Sequence, residues 1–355
     1  MRTENKLKRF KMIRLLKIIF VFLILLELTT TGENALAVSK SGTAAAQFLK
    51  IGIGARASAL AGSFAALAND ASALYWNPAG ISWTQKSQFL ATHTKWFAGL
   101  NHEFLGVSVP LSSASVIGLS FTALNSPEME QTTISEPEGT GIFFDVRDIA
   151  IGLTYSRRMT DRFSFGITGK YIQQTLFNEN AKTLAVDIGG MLRTGFKGMR
   201  LGIAMSNFGG KLQLDGRDLI VSYDNDPLQT GNPLTPARLE TQGWPLPASF
   251  RLGFALNIIG LREGVFLRES QRLTFAVDGY NVNDAEETVS FGLEYAWNDY
   301  FFLRGGYRLN HDTESFSSGM GVQIPLQRWK IQADYALSNM GDLGYIHRFG
   351  VGILF

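Results

Sequence analysis

YIHRFGVGILF, residues 345–355, ends the chain, and its alternation decides the fold. Every second side chain in it is bulky, and most of these are apolar: Tyr345, His347, Phe349, Val351, Ile353 and Phe355. Arg348, Gly350 and Gly352 lie between them. Successive side chains of a β-strand point to opposite faces, so this period of two predicts a strand with one bulky face and one small or charged face.

The same alternation recurs from residue 88 onward. In 288–297, for example, Phe291 and Leu293 alternate with Gly292 and Glu294. The pattern predicts fourteen strands, at 88–96, 103–111, 114–124, 144–156, 162–176, 182–194, 198–207, 247–257, 270–280, 288–297, 300–308, 315–324, 328–337 and 345–355. An even number of strands returns both ends of a barrel to the same side of a membrane.

The connections favour a membrane barrel over a soluble one, which would turn its bulky face inward. Alternate connections are short, near 112–113, 157–161, 195–197, 298–299 and 325–327, although 258–269 is longer. The others include 125–143 and 208–246, which are long and polar. Short periplasmic turns and long external loops are typical of outer-membrane barrels. We predict an all-β transmembrane barrel of about 14 antiparallel strands over residues 88–355, in contact with outer-membrane lipid.

The last strand also carries an expected recognition element. An amphipathic terminal strand that ends in an aromatic residue resembles the signal read by the barrel-assembly machinery. We expect that signal to consist of Phe349, Val351, Ile353 and Phe355.

The first residues have the pattern of a secretory signal peptide. Seven basic residues precede an unbroken apolar run at 18–26, and a cleavage-type site of small residues ends at Ala37. A retained membrane anchor is the alternative, but a spanning helix needs about 20 apolar residues and Glu27 interrupts this run. We expect residues 1–37 to be removed near Ala37, which places the protein in the outer membrane of a Gram-negative-type bacterium.

Removing this segment changes the charge of the protein. The full chain has a formal net charge of +2, with 33 basic and 31 acidic residues. Residues 1–37 hold seven of the basic and three of the acidic residues, so the remainder carries 26 and 28, a net charge of −2. No basic face for nucleic acid is implied. The absence of cysteine excludes disulfides, thiol catalysis and cysteine metal sites.

Residues 38–87 differ from the rest in being rich in Ala, Gly and Ser. Over 57–68, apolar residues at helical spacing predict a helix. Asp70 is placed to cap a second helix through Trp76, which Asn77 and Pro78 then end. The segment is too weakly apolar to span lipid, and we expect a short helical plug inside the barrel. A periplasmic extension is the alternative.

One stretch of this segment, IGARASALAGSFAALANDASALYWNPAG at 53–80, is specific. It resembles the N-terminal signature of the PorV/PorQ family, a branch of the FadL-like outer-membrane barrels. The residues that carry the resemblance are Gly54, Arg56, Gly62, Asp70, Asn77, Pro78, Ala79 and Gly80.

The resemblance implies a fourteen-stranded barrel with Asn77-Pro78-Ala79 in its plug. It also implies a non-enzymatic accessory role in type IX-like protein secretion or surface attachment, through contacts with the translocon, attachment proteins or their cargo. A FadL-like transporter of hydrophobic small molecules is the alternative, and a plain structural barrel is a third. No cofactor is implied.

The sequence offers little for catalysis. The only histidines are His93, His102, His311 and His347, and the strand count places His102 and His311 in external loops. A histidine beside a carboxylate, as at His311 and Asp312, is more often a solvated pair than part of a triad. We expect no enzymatic activity and no metal site.

Charged residues on the small-residue side of the strands must face the lumen, because a charge toward lipid costs about 2–4 kcal/mol at the midplane. These lumen charges are Lys170, Asp187, Arg251, Asp278, Glu294, Arg304, Lys330, Asp334 and Arg348. They predict ion pairs that hold barrel and plug together, with a polar path for a solute as the alternative. Inward glycines should leave room for the plug: Gly152, Gly166, Gly189, Gly202 and Gly253.

The long loops at 125–143 and 208–246 are the remaining candidates for binding. The first carries four glutamates, and the second carries Trp244 near prolines. Either loop is a candidate surface for a partner, although such loops are more often only solvated.

Overall fold

The computed structural model describes residues 42–84, 86–224, 228, 235–261 and 263–355. The predicted signal peptide and its cleavage near Ala37 lie outside these ranges and stay predictions. The same holds for the first four residues of the 38–87 segment.

Fourteen long strands form the main sheet. They are β1 Gln88–Lys95, β2 Asn101–Pro110, β3 Ser115–Asn125, β4 Val146–Arg158, β5 Phe163–Leu176, β6 Glu179–Arg193, β7 Arg200–Gly209, β8 Ser249–Gly260, β9 Gln271–Val282, β10 Thr288–Trp297, β11 Phe301–Leu309, β12 Phe316–Leu326, β13 Trp329–Asn339 and β14 Tyr345–Leu354. Each overlaps one predicted strand, with ends that differ by at most three residues.

Short strands lie in the connections, at Met129–Glu130, Phe143–Phe144, Asp215–Gly216, Ile220–Tyr223, Thr235–Arg238 and Phe266–Leu267. None of these six forms a full-length strand of the barrel wall. Two of the connections contain strand pairing of their own, which the alternation pattern alone did not predict. Asp215–Gly216 and Phe266–Leu267 pair instead with strands of the wall.

The main sheet closes on itself. Every consecutive pair of the fourteen strands is antiparallel, including β6 with β7 and β7 with β8. The last strand pairs with the first, and Thr92 of β1 lies opposite Gly350 of β14. A closed barrel leaves no unpaired edge among its fourteen strands, as a sheet in lipid requires. The predicted fold class is confirmed.

The two faces of the wall differ as the alternation predicts. On β14, Phe349 and Val351 are 51% and 48% exposed on the outside, whereas Arg348, next to Phe349, is 2% exposed. Bulky apolar residues face outward along most strands, and small or charged residues face the lumen. This is the arrangement of a barrel whose outside meets lipid and whose inside is polar.

The two ends of the barrel also differ. At the end that holds the first residue of β1 and the last of β14, most connections are short, as at residues 111–114 and 298–300. We call this the turn end. The opposite end, which we call the loop end, holds the connections 126–145 and 210–248.

One loop-end connection is shorter than predicted, and His102 therefore lies in a strand and not in a loop. Residues 96–100 form a tight hairpin around a 3-10 turn, Phe97–Gly99, with Ala98 at φ 55° and Gly99 at φ 74°. The strand therefore begins at Asn101, and His102 is a buried residue of β2 at 1% exposure. Its predicted place in an external loop is wrong. His311 does lie in a loop-end connection, between β11 and β12.

The segment before β1 lies inside the barrel as a plug. It contains two one-turn α-helices, α1 Ala55–Ala59 and α2 Ala73–Trp76, and two 3-10 helices, Gln47–Lys50 and Pro78–Trp83. No helix in the described ranges is long and apolar enough to cross a membrane. Two further 3-10 turns, Arg217–Leu219 and Gly341–Leu343, lie at the loop end.

The single helix predicted over 57–68 is wrong. The chain leaves the helix after Ala59, and Ala61 and Gly62 take positive φ angles of 52° and 81°. The side chains at the predicted helical spacing, among them Leu60 and Phe64, are nevertheless fully buried. Close packing against the wall, and not helical periodicity, determines the path of this stretch.

Glycines in the wall let the plug backbone come close. A β-carbon at Gly166 would lie 2.6 Å from the nitrogen of Ala79, and one at Gly253 or Gly202 would lie 2.8 Å from the nitrogen of Ala66. Four of the five predicted glycines therefore face the plug: Gly166, Gly189, Gly202 and Gly253. Gly152 does not, because its nearest neighbour is the hydroxyl of Ser120 in the wall. Other wall glycines, which were not predicted, also face the plug, among them Gly118, Gly292, Gly306 and Gly319.

Replacing Gly166 with alanine should destabilise the protein. The added methyl group meets the backbone of Pro78 and Ala79, and overpacking of this kind costs about 1–3 kcal/mol. We expect a lower midpoint of thermal unfolding. The midpoint is measured from the change in gel mobility that barrel proteins show when they unfold on heating. Gly169→Ala, on the outer face of the same strand with nothing within 4 Å, is the matched control. Equal loss in both variants would contradict close plug packing.

Candidate functional site

The plug has an apolar core that it shares with the wall. Ile53, Leu60, Phe64 and Trp76 are at most 1% exposed and pack in one cluster with wall residues that include Phe104. The Trp76 indole donates to the carbonyl of Ile53 at 3.0 Å, so its polar atom is satisfied. Because this cluster is buried from all sides, the plug is a fixed part of the barrel interior.

Asn77 ties the plug to itself and to the wall. Its side-chain amide donates to the carbonyl of Ala65 at 2.9 Å and to that of Gly190 on β6 at 3.1 Å. Its side-chain oxygen accepts from the nitrogen of Ala79 at 3.1 Å. Asn77 is fully buried and its side chain makes three hydrogen bonds. An amide side chain suits this position because it supplies both donors and an acceptor.

The residues after Asn77 continue this anchor. The carbonyl of Ala79 accepts from the hydroxyls of Ser156 on β4 and Ser164 on β5, at 3.2 and 3.0 Å. Pro78 begins the 3-10 helix that follows α2, so the predicted helix stop at this point is confirmed. Gly80 lies against the carbonyl of Ala68, where a side chain would not fit.

A carboxylate on the wall collects three guanidinium groups. Glu294 on β10 is 1% exposed. It accepts from Arg56 of the plug at 2.8 Å, from Arg304 on β11 at 2.9 Å and from Arg272 on β9 at 3.3 Å. Arg304 also donates to Asp334 on β13 at 2.6 Å. The network therefore links the plug to four strands.

Arg56 is the plug's contribution to this network. It also donates to Asp70 at 2.8 Å and to Asn69 at 2.7 Å. Burial disfavours the charged guanidinium, but Glu294 and Asp70 more than offset it and raise the pKa of Arg56 above its ordinary value. Asp70 in turn accepts from the nitrogen of Ser72 at 2.9 Å, in the turn just before α2.

Two other predicted lumen acids also bind backbone or plug. Asp278 on β9 accepts from the nitrogens of Phe64 and Ala65 at 3.0 and 2.7 Å. Asp187 pairs with Lys170 at 2.8 Å and accepts from the nitrogen of Asn207 at 2.7 Å, at an irregularity in the pairing of β6 and β7. These carboxylates accept from backbone nitrogens that find no carbonyl partner, in the plug turn and at the irregularity between β6 and β7.

Lys330 differs from the other predicted lumen charges. It lies on the inward side of β13, but next to the turn end, where it is exposed. No ion pair of Lys330 occurs within the described part of the chain. The remaining eight face the lumen, and the structure brings Arg56, Glu294, Arg304 and Asp334 together.

A cavity of about 530 Å³ lies between the plug and the loop end. Its apolar lining comes from the plug, from two loop-end connections and from β3, and includes Phe48, Ile51, Trp76, Trp96, Leu124, Met340 and Leu343. Its charged lining consists of Lys50, Arg251, Asp278, Arg308, Glu314 and Arg348. A mostly apolar pocket with a few converging polar groups is the usual form of a small-molecule site.

Neighbouring charges shift the pKa of two groups that line the cavity at the loop end. Burial disfavours the Glu314 carboxylate, but Arg308 and Arg348 more than offset it and lower the pKa of Glu314. Glu314 pairs with Arg308 at 2.5 Å. Burial, together with Arg308, lowers the pKa of His311, so this side chain is neutral near pH 7. The lining therefore holds four basic groups against two acidic ones.

The histidines are scattered. His93 contacts Glu103 at 2.6 Å and His347 contacts the Tyr335 hydroxyl at 2.7 Å, both on the outer surface of the barrel. His102 lies inside and His311 lies at the mouth of the cavity. No group of three or more metal-ligating side chains occurs among the described residues.

The predicted assembly signal lies on the outer surface. Phe349, Val351 and Phe355 are about half exposed, and Ile353 is partly exposed on the same side of β14. Their assembly role stays a prediction.

The structure shows several candidate residues that the sequence did not single out. Arg308 shares the inward side of β11 with Arg304, so strand parity could have found it. Arg272 shares the inward side of β9 with Asp278, so strand parity could have found it too. Trp96 and Glu314 are in connections, for which the alternation gives no orientation.

Several solved structures have a similar fold. The toluene transporter TbuX of Ralstonia pickettii is similar over 85% of this chain and 97% of its own, with a TM-score of 0.53 and 13% identity. The toluene transporter TodX of Pseudomonas putida has a TM-score of 0.52 and 14% identity over the same shares. The CymD monoaromatic hydrocarbon channel covers 86% and 97%, with a TM-score of 0.54 and 12% identity.

At these identities the likeness concerns the fold alone. No curated protein sequence matches the chain. The family model described as "Type IX secretion system protein PorV" matches residues 34–220, more than half of the chain. The chain therefore belongs to the PorV family, as the signature at 53–80 predicted.

Replacing Glu294 with glutamine should loosen the plug. Three guanidinium groups would lose a shared carboxylate, and breaking a buried ion pair typically costs about 3–5 kcal/mol. We expect a lower unfolding midpoint and faster trypsin cleavage at Arg56, which the native plug protects. Glu103→Gln is the control, because its pair with His93 is exposed and such pairs contribute about 1 kcal/mol or less. A Glu294 variant as resistant as the control would contradict the anchoring role.

Proposed function

We propose that this barrel is a non-enzymatic accessory component of type IX protein secretion, which binds a secretion component or its cargo at the loop end. Membership of the PorV family supports the secretion role. The observation that carries the binding role is an ordered hairpin at the loop end with apolar side chains exposed to solvent.

The hairpin spans residues 126–145 and is held by backbone pairing. Met129–Glu130 pairs with Phe143–Phe144. Beyond that pair, the nitrogen of Gln131 donates to the carbonyl of Ile142 at 2.8 Å, and the nitrogen of Thr140 donates back to Gln131 at 2.9 Å. The connection is thus a projecting arm with defined backbone geometry.

This hairpin exposes apolar groups that its own structure does not cover. Ile134 at the tip is fully exposed, and Ile142 and Phe143 are 51% and 59% exposed. A solvent-exposed apolar cluster on an ordered element marks a contact surface. Four glutamates surround it, so a partner with an apolar patch rimmed by basic residues would complement it.

A second arm lies beside the first. In the 210–248 connection, Ile220–Tyr223 pairs with Thr235–Arg238, and Ile220 and Tyr223 are more than half exposed. Both arms are fastened to the turn between β5 and β6. The ring of Phe144 in the first packs edge-to-face on Phe177, with 5.2 Å between centroids, and Asp218 of the second accepts from Asn178 at 2.9 Å. Together they form one surface at the loop end.

Making the first hairpin polar should abolish partner binding. We expect the triple variant Ile134→Asp, Ile142→Asp, Phe143→Asp to lose most of the secretion components or cargo co-purified by wild type from native membranes, as counted by mass spectrometry. Thr132→Asp, in the same hairpin, is the control for added charge. Equal recovery by the triple variant, or no secretion component with wild type, would contradict this function.

Transport of a hydrophobic small molecule is a second candidate, and the cavity above the plug favours it. Its lining is mainly apolar, and its exposed lining residues include His311 and Leu343 of two loop-end connections, which we take as its mouth. The similar structures are named for toluene and monoaromatic hydrocarbons. A molecule that enters this mouth would meet the plug before it could pass the barrel.

Narrowing the mouth tests transport separately from partner binding. Thr313→Trp places a large ring at the cavity mouth and should slow uptake of a labelled hydrophobic solute by cells several-fold. Asp312→Trp is the matched control, because its exposed neighbour position is not part of the cavity lining. Uptake that is equally fast in cells lacking the protein would exclude the transport role.

A further inference from the structure

Basic side chains line the lumen where it opens at the turn end. In five strands, the inward-facing position nearest this end is basic: Arg158 of β4, Arg193 of β6, Arg200 of β7, Arg272 of β9 and Lys330 of β13. The plug reaches this end at Trp83, the last residue of its second 3-10 helix. Short turns are typical of the periplasmic side of such barrels, so we take this basic mouth to open to the periplasm.

Two of these arginines lie against one indole ring. The guanidinium carbons of Arg158 and Arg193 are 5.5 and 4.0 Å from the ring centroid of Trp83. The ring is itself fixed, because its N–H donates to the hydroxyl of Ser164 at 2.8 Å and it packs against the apolar core of the plug. An aromatic face holds a guanidinium in place without using its N–H donors. Both side chains are therefore positioned with donors to spare.

The arginines at this mouth have few acceptors in the chain itself. Arg158 donates to the carbonyl of Ser113, and Arg200 donates to the side-chain oxygen of Asn257 at 3.1 Å, and both of these acceptors are neutral. The Nε atoms of Arg158 and Arg193 are buried and have no hydrogen-bond partner. Among the residues that the structure describes, none of these three arginines makes an ion pair. Buried donors without a partner are costly, so an acceptor from outside the chain would stabilise them.

The arginines also repel one another. Arg193 and Arg200 lie directly opposite each other in the pairing of β6 with β7, and Arg158 is a further charged neighbour of Arg193. Like charges directly opposite in a sheet are destabilising. The nearby acid Glu263 is exposed in the connection between β8 and β9, and Glu294, which is near Arg200, already accepts from three other guanidinium groups.

We call Arg158, Arg193 and Arg200 the arginine row. It crosses four neighbouring strands, β4 to β7, and is about 14 Å long, because neighbouring strands lie about 4.8 Å apart. One small oxyanion does not span this length. In an extended peptide every second side chain points the same way, with about 6.6 Å between them, so three acidic residues at alternate positions match the row. A guanidinium binds a carboxylate through two parallel N–H···O bonds.

The direction of the row separates a soluble partner from lipid. The row faces the lumen, whereas Arg157, next to Arg158, is exposed on the outer face of β4, where lipid headgroups lie. We propose that the arginine row binds an acidic, extended segment of a soluble periplasmic protein. This surface is at the opposite end of the barrel from the hairpin at 126–145 and does not depend on the function proposed for it.

The test measures peptide binding to the purified full-length barrel in nanodiscs of phosphatidylcholine, which has no net charge. The probe is a fluorescein-labelled peptide in which three glutamates alternate with serines, and its counterpart has glutamine in place of each glutamate. Binding is followed by fluorescence anisotropy at neutral pH and about 0.1 M salt, which screens charges more than about 10 Å apart. We expect the glutamate peptide to bind at least about 10-fold more tightly, as charge-assisted hydrogen bonds allow.

Variants locate the binding site. Arg193→Gln should remove most of the preference for the glutamate peptide, because this residue is the middle of the row. Arg193→Lys should retain part of it, since lysine keeps the charge but not the two parallel donors. Arg157→Gln is the matched control, because it removes the same charge from the same end of the barrel but on the outer face.

The unfolding midpoint, read from gel mobility on heating, separates binding from a structural role. Replacing an arginine that only stabilises the fold would lower the midpoint. Removing the repulsion between Arg193 and Arg200 should instead leave the midpoint of Arg193→Gln unchanged or raise it. If this variant does not fold, Arg158→Gln takes its place in the binding test.

Three results would overturn the inference. The first is equal binding of the two peptides to wild type, and the second is an equal loss of preference in the Arg193 and Arg157 variants. The third is a different ligand: displacement of the glutamate peptide by inorganic phosphate at the same charge concentration, or retention of phosphatidylglycerol by wild type but not by Arg193→Gln in native mass spectrometry. The triple variant of the loop-end hairpin should bind the glutamate peptide as wild type does, so failure of the loop-end function leaves this site standing.

Discussion

A barrel in lipid can place its ionic side chains only toward the lumen, and the structure of this protein depends on that constraint. The outer face consists mainly of bulky apolar residues, so the charges of the strands are concentrated within a narrow interior. An interior charge needs a partner, because burial without one is costly. The plug supplies many of these partners, through Arg56 toward Glu294 and through two backbone nitrogens toward Asp278.

The same constraint explains which parts of the fold the sequence could predict. Each residue of the barrel wall faces either lipid or the lumen. The alternation of residue types along a strand shows which of the two it faces. Fourteen strands were therefore visible from alternation, and the side of Glu294, Arg304 and Arg348 followed from parity. The plug signature at 53–80 led to the family, because residues such as Asn77 are each required by several contacts at once.

The plug's local structure could not be predicted in that way. Its path follows the wall, and the glycines that admit it lie far away in sequence, so helical spacing over 57–68 recorded burial but not helix. His102 was misplaced because a five-residue hairpin with two positive φ angles lengthened β2.

The plug has a further consequence for the order in which the protein forms. Its contacts reach from β4 and β5 at Ala79 to β10 at Arg56 and β11 at Arg308, around much of the barrel circumference. The seam between β1 and β14 joins the two strands that are farthest apart in sequence. Because the plug is fastened to the wall on several sides, we expect the first part of the chain to take its place before this seam closes.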